Sequence, residues 1–160
     1  ASGFPVTDGY FSVAGTPAKN IPYMAGSTSH DMMPPILHSM SLDWCAKQET
    51  GYVWYFDRLL PGDDHGAWHS SDLWYWFGTL SNCWRPMEEK DLALSEQMTD
   101  YLCNFVRTGN PNKTGELPTW IASDRGQKRV LRLGEKATRM NKPSTLKMVA
   151  TMLTNKAPGE

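Results

Sequence analysis

The run Tyr52-Val53-Trp54-Tyr55-Phe56 restricts the possible folds more than any other part of the chain. It is aromatic and β-branched, bounded by Gly51 and Asp57, and apolar at both alternating sets of positions. A strand half exposed to water alternates polar and apolar residues. One that does not alternate must be covered on both faces, the condition of strands inside an α/β sheet. A second short apolar run, Ile21 to Gly26, precedes it, with Pro22 near its start, where a missing N–H costs no ladder bond. Between the two, after Pro34-Pro35, the residues Ile36, Leu37, Met40, Leu42, Trp44 and Cys45 recur at spacings near three and four. That spacing predicts a helix closing around Gln48, and hence a strand–helix–strand unit.

The downstream pattern continues the same alternation. Ser70 and Ser71 are suitable N-caps for a short helix through Leu73, Trp74 and Phe77, stopped at Gly78. Leu94, Met98, Tyr101, Leu102, Phe105 and Val106 follow helical spacing up to Gly109-Asn110-Pro111, with Arg107 in the last turn. Val130 to Gly134 reads as a last short strand, and Ser144 to Thr154, after Pro143, as a terminal helix. Residues 1–19, with Gly3, Pro5, Asp8-Gly9, Gly15 and Pro17, read as loop. Strands separated by helices predict an α/β layer, with residues 1–160 forming one unit without an internal boundary or repeat.

Charge and composition exclude some partners. Sixteen Lys and Arg against 17 Asp and Glu leave a formal charge of -1, with no basic run able to track a phosphate backbone. No window approaches the ~18 consecutive apolar residues needed to span a bilayer. Neither nucleic acid nor membrane is therefore an expected partner. Cys45, Cys83 and Cys103 are widely spaced and odd in number, so at least one thiol stays free; they read as buried small hydrophobes of a reducing, cytoplasmic compartment. Of seven tryptophans, six fall from Trp44 to Trp84, marking one region as a pocket or a large packing surface.

Asp31 follows the first strand through Ser27-Thr28-Ser29-His30, and His69 follows the second through Pro61-Gly62-Asp63-Asp64-His65-Gly66. If the strands are parallel neighbours, both side chains emerge at the carboxyl ends of the sheet, where α/β proteins bind ligands. An acid followed by a histidine base is the order of the last two members of an α/β-hydrolase triad. His65 and His69, four apart beside Asp63 and Asp64, raise a metal site as an alternative. A glycine-bearing loop does not hold them on one helical face, and neither metal nor cofactor is expected. His30 and His38 read as structural or exposed. Trp68, Trp74, Trp76 and Trp84 could wall a pocket, although helical spacing of aromatics also suits a core.

The stretch Gly66-Ala67-Trp68-His69-Ser70-Ser71-Asp72-Leu73-Trp74-Tyr75-Trp76-Phe77-Gly78, with Asn104-Phe105-Val106-Arg107-Thr108-Gly109-Asn110-Pro111-Asn112 and Leu117-Pro118-Thr119-Trp120, closely resembles the C-terminal part of type-B carboxylesterases. These are the cholinesterase-like branch of the α/β-hydrolases, and the resemblance covers about residues 5–135. It implies that His69 is the catalytic base, Asp31 the triad acid and Asp72 an acidic residue behind them. It also implies the last strands and helices of an eight-stranded sheet.

Two departures stand out. Where many relatives carry Asp-Glu-Gly, this chain has His30-Asp31-Met32, an acid one methylene shorter. No Gly-x-Ser-x-Gly occurs, so the nucleophile and the oxyanion donors are expected on an N-terminal segment of the same esterase. The chain alone is then expected to be inactive toward a small ester. It is also expected to expose a sheet edge that invites self-association, with Tyr52–Phe56 the strand most harmed by exposure. The alternative is a noncatalytic interaction module built on the esterase fold, which would have no need to keep a proton-transfer pair.

Overall fold

The computed structural model describes residues 22–46, 51–112, 117–124, 126–134, 136 and 138–154. The expected loop at 1–19, Ile21 and Gln48 lie outside them. In chain order the elements are β1 (Tyr23–Thr28), α1 (Pro34–Ala46), β2 (Gly51–Phe56), α2 (Leu73–Trp76), α3 (Glu89–Thr108), β3 (Leu131–Leu133), β4 (Arg139–Met140) and α4 (Thr145–Thr154). A short 3-10 turn, Leu80–Asn82, links α2 to α3. The four strands form one sheet in the order β1-β2-β3-β4. β1 runs parallel to β2 with Thr28 opposite Phe56, and β3 runs parallel to β2 on its other side. β4 closes the sheet antiparallel to β3. It was not foreseen, because two residues carry no periodicity.

The period-2 geometry of β2 explains its composition. Tyr52 and Phe56 face a core of Leu131, Leu133, Tyr75, Trp76, Met98, Tyr101 and Trp120. Val53 and Tyr55 face a second core of Leu42, Cys45, Val130 and Met148. Helices α1 and α4 therefore cover one face of the sheet, while α2 and α3 cover the other. Each fully buried large side chain contributes roughly 1.5–3 kcal/mol relative to exposure. Trp120 anchors the first core, with edge-on ring contacts to Tyr101 at 5.3 Å and Tyr52 at 5.8 Å.

The sheet corrects one expectation directly. β2 is interior, paired on both edges, so Tyr52–Phe56 is not the strand left exposed. Among the described residues the outer edge of β1 has no strand partner, and the sheet ends there.

Local signals explain the helix ends. Helix α3 begins with a capping box in which the Glu88 backbone N–H donates to Asp91 Oδ2 at 2.9 Å. It stops at Gly109, whose φ of 73° suits glycine and whose N–H donates to the Phe105 carbonyl. Leu94, Met98 and Tyr101 are buried on its inner face as expected, but Val106 is 74% exposed. It lies one residue beyond Phe105, about 100° around the helix and off the apolar stripe. Ser70 and Ser71 do not cap α2: the helix starts at Leu73 after Asp72, and no side chain caps it. Ser70 instead takes a left-handed φ of 69°, incompatible with the extended backbone an N-cap needs. No helix among the described residues is long and apolar enough to cross a membrane.

Candidate active site

The parallel register of β1 and β2 brings Asp31 and His69 together. Beyond the last strand pair, the Ser29 N–H donates to the Phe56 carbonyl at 2.8 Å. His30 then pairs with Trp68 as an isolated parallel bridge, its N–H donating to the Ala67 carbonyl at 2.9 Å. Zippered in this way, the next residue of each segment is Asp31 on one side and His69 on the other. His69 Nδ1 lies 3.0 Å from Asp31 Oδ1.

Asp31 is held firmly and His69 is presented outward. The carboxylate is buried, with 8% of the residue exposed, and accepts hydrogen bonds from Thr28 Oγ1 at 3.3 Å and from the Met32 N–H at 2.8 Å. The His69 side chain is 64% exposed. A carboxylate can only accept, so the proton of a neutral His69 belongs on Nδ1, which leaves the Nε2 lone pair free for an incoming proton.

Two ion pairs, one buried and one partly buried, pin the loop that delivers His69. Arg58, the second residue of that loop, donates through Nε to Asp91 Oδ1 at 2.6 Å and through an Nη to Oδ2 at 3.1 Å. The Tyr75 hydroxyl donates to the same carboxylate at 2.7 Å. Burial would raise the Asp91 carboxyl; the hydrogen bonds from Arg58, Tyr75 and the Glu88 amide outweigh it and hold the group below its ordinary value. At the loop's turn, Arg85 pairs with Asp63 and donates to the Pro61 carbonyl at 2.8 Å. The hydrogen bond from Arg85 is the main reason the Asp63 carboxyl is lowered. No sequence signal announces these clamps, since partners 33 and 22 positions apart carry no local pattern.

The remaining candidates take varied places. Asp72 is buried, and burial pushes its carboxyl above the ordinary range; nearby Asp31 acts in the same direction, and His69 opposes it. Trp76 packs in the core against Trp54 at 5.4 Å, and Trp68 meets Trp74 edge-on at 5.8 Å. Trp84 is exposed and stacks under the Arg85 guanidinium at 4.8 Å. A groove of about 330 Å³ does open against Asp31 and His69. Its other walls are Tyr23, Ala25, Gly26, Leu37, Met40, Ser41 and Trp44, from β1 and α1; Trp68, Trp74 and Trp76 do not line it. Apolar spacing predicts Met40 and Trp44 only as helix positions and carries no signal that they wall the site.

His38 is buried, and burial lowers it to about 4, with Lys142 acting in the same direction. His30 is also lowered, by burial against the opposing pull of Asp57. Among the described residues no group of three or more His, Cys, Asp or Glu is placed to hold a metal ion. Cys45, Cys83 and Cys103 are all unpaired thiols, and only Cys45 is buried.

Comparison with known proteins converges on one family. The profile of the carboxylesterase family matches residues 30–151. Carboxylesterase 4A of Bos taurus is 35% identical over 82 residues, which is 48% of this chain and 14% of that protein. The acetylcholinesterase of Bungarus fasciatus is 29% identical over 102 residues, 59% of this chain and 17% of that protein. Two solved structures share the fold. An esterase from anaerobic Clostridium hathewayi that can hydrolyse aliphatic aromatic polyesters superposes with a TM-score of 0.56 at 23% identity, over 72% of this chain and 23% of that one. A PNB esterase superposes with a TM-score of 0.54 at 17% identity, over 68% and 24%. This chain thus spans less than a quarter of the length of each of these proteins. With the family profile covering most of its length and the sheet matching that of solved esterases, the chain belongs to the carboxylesterase family.

Proposed function

We propose that this chain carries the acid and the base of a serine carboxylic-ester hydrolase, and that the nucleophilic serine and the oxyanion donors come from outside these 160 residues. The observation that supports this most is the 3.0 Å contact between His69 Nδ1 and a buried, twice hydrogen-bonded Asp31 carboxylate. An exposed histidine oriented through one nitrogen by a fixed carboxylate is the arrangement a general base requires.

The roles follow from proton bookkeeping. A serine hydroxyl is a weak nucleophile at neutral pH. As it attacks the ester carbonyl, its proton passes to His69 Nε2; the imidazolium so formed is stabilised by Asp31. The same proton then goes to the leaving alkoxide as the tetrahedral intermediate collapses to acyl-enzyme and alcohol. A water molecule repeats the cycle on the acyl-enzyme, releasing acid and restoring the serine. The departure at residue 31, an aspartate where many relatives carry glutamate, is accommodated because the shorter acid still reaches hydrogen-bond distance of the ring. The groove walled by Met40, Trp44 and Leu37 offers apolar surface beside the pair for part of a small ester substrate.

No Gly-x-Ser-x-Gly is present in the sequence, so the chain alone is expected to leave p-nitrophenyl butyrate intact. Mixing it with a nucleophile-bearing segment of the same esterase should give hydrolysis that His69→Ala abolishes. A folded complex that stays inactive would sink this reading in favour of a noncatalytic module, and turnover by the chain alone would show that the nucleophile lies within it.

A further inference from the structure

The residue before the acid is a histidine, His30, where many relatives have an acidic side chain, and both its ring and its backbone contact the segment that carries His69. Its ring is half-buried between the acid segment and the base segment. Ser29 Oγ lies 2.8 Å from His30 Nδ1, and the Ala67 backbone N–H donates to the same nitrogen at 3.4 Å. The His30 backbone N–H returns a bond to the Ala67 carbonyl at 2.9 Å. Ala67 is therefore gripped at both its N–H and its C=O by one residue, two positions before His69. Gly66 completes the seat: its φ is +67°, and a Cβ placed there would lie 2.7 Å from both Cε1 and Nε2 of the His30 ring. The ring can lie against the backbone of the base loop only because residue 66 has no side chain.

Resting on the assignment of Asp31 and His69 as acid and base, we propose that His30 is a positioning residue. Its neutral ring, protonated on Nε2, latches the base loop to the acid loop through Ala67 and so sets His69 against Asp31. The tautomer is dictated by the contacts. An imidazole nitrogen that accepts from an N–H cannot carry a proton of its own, so Nδ1 must be bare. Burial keeps the ring neutral near pH 7 against the opposing pull of Asp57. Arg132, paired with Asp57, and Lys147 line the same cleft as His30. The chain should thus hold two neutral histidines in opposite tautomers, His30 as Nε2–H and His69 as Nδ1–H. The second arrangement depends on the first.

Nitrogen-15 NMR of the histidine rings in the full 160-residue chain tests this without any ester. The wild-type chain should show His30 with a bare Nδ1 and His69 with a protonated Nδ1. His30→Asn places an amide oxygen where Nδ1 sits and should preserve the His69 tautomer. His30→Leu removes the acceptor and should move His69 toward the Nε2–H form that exposed neutral imidazoles prefer. Two results overturn the latch while leaving the acid and base assignment standing: a protonated Nδ1 on His30 in the wild type, or an unchanged His69 tautomer in His30→Leu. Loss of the His69 Nδ1–H form in His30→Asn, with the amide spectrum otherwise intact, also overturns it. A wild-type His69 that is not protonated on Nδ1 refutes instead the underlying acid and base pair. Should His30→Leu fail to fold, the tautomer of His30 itself and the behaviour of His30→Asn still decide the matter.

Discussion

Asp31 and His69 stand 38 positions apart in the chain and 3.0 Å apart in space, the carboxylate buried and the imidazole open to solvent. That division makes Asp31 the fixed member of the pair and leaves His69 accessible. If the pair acts as proposed, Asp31→Asn in the recombined enzyme should lower kcat by roughly 10⁴-fold with little change in KM, because the amide favours the wrong tautomer of the ring. Steady-state hydrolysis of an aryl ester measures this. A loss under tenfold would mean that Asp31 does not orient the base.

Gly66 is constrained twice over, by its left-handed backbone and by the His30 ring. Gly66→Ala should destabilise the chain by about 1–3 kcal/mol, the usual cost of holding a side chain in such a conformation. Urea unfolding gives the value. An unchanged midpoint would show that the loop rearranges freely.

The buried Arg58–Asp91–Tyr75 group should behave as a buried ion pair. Arg58→Met leaves the Asp91 carboxylate uncompensated in the interior and is expected to cost about 3–5 kcal/mol, whereas pairing it with Asp91→Leu should recover much of that loss. The same denaturation experiment, run as a double-mutant cycle, reports the coupling directly.

His38 provides a pH handle remote from the site. Both its ring nitrogens are buried with no hydrogen-bond partner among the described residues, and it packs edge-on against Tyr55 at 5.4 Å. Its folded value of about 4 lies below the ordinary 6.5, so protons bind the unfolded chain more readily. Its stabilising contribution is thus fully present above about pH 6.5 and is lost progressively as pH falls toward about 4. The difference corresponds to about 3 kcal/mol. His38→Phe should flatten that part of the stability profile, measured by urea midpoints across the range.

The outer edge of β1, with Met32, Ile36 and Met40 exposed beside it, is the surface on which the isolated chain should self-associate. Light scattering should show mass rising with concentration, and Ile36→Lys combined with Met40→Lys should suppress the rise. A monomer at every concentration would remove the edge as an association surface.

Much of this molecule is legible in its residues. Tyr52–Phe56 had to be covered on both faces because apolar residues occupy both of its alternating sets of positions, and the apolar spacing from Leu94 to Val106 with Gly109 at the far end marks α3 locally. Asp31 and His69 could each be singled out as the polar residue following a buried strand. Their meeting could not be read locally, since it rests on β1 and β2 being parallel neighbours in one register, and a shift of one residue would separate them. Nor could the sequence show that His30 grips Ala67, that Arg58 and Arg85 pin the loop, or that Trp44 walls the groove while Trp76 lies in the core. Patterns of neighbouring residues determine which segments become strands and helices, because propensity, capping and periodicity act over a few positions. Which side chains then share a site is decided by strand pairing and packing between segments far apart in the chain.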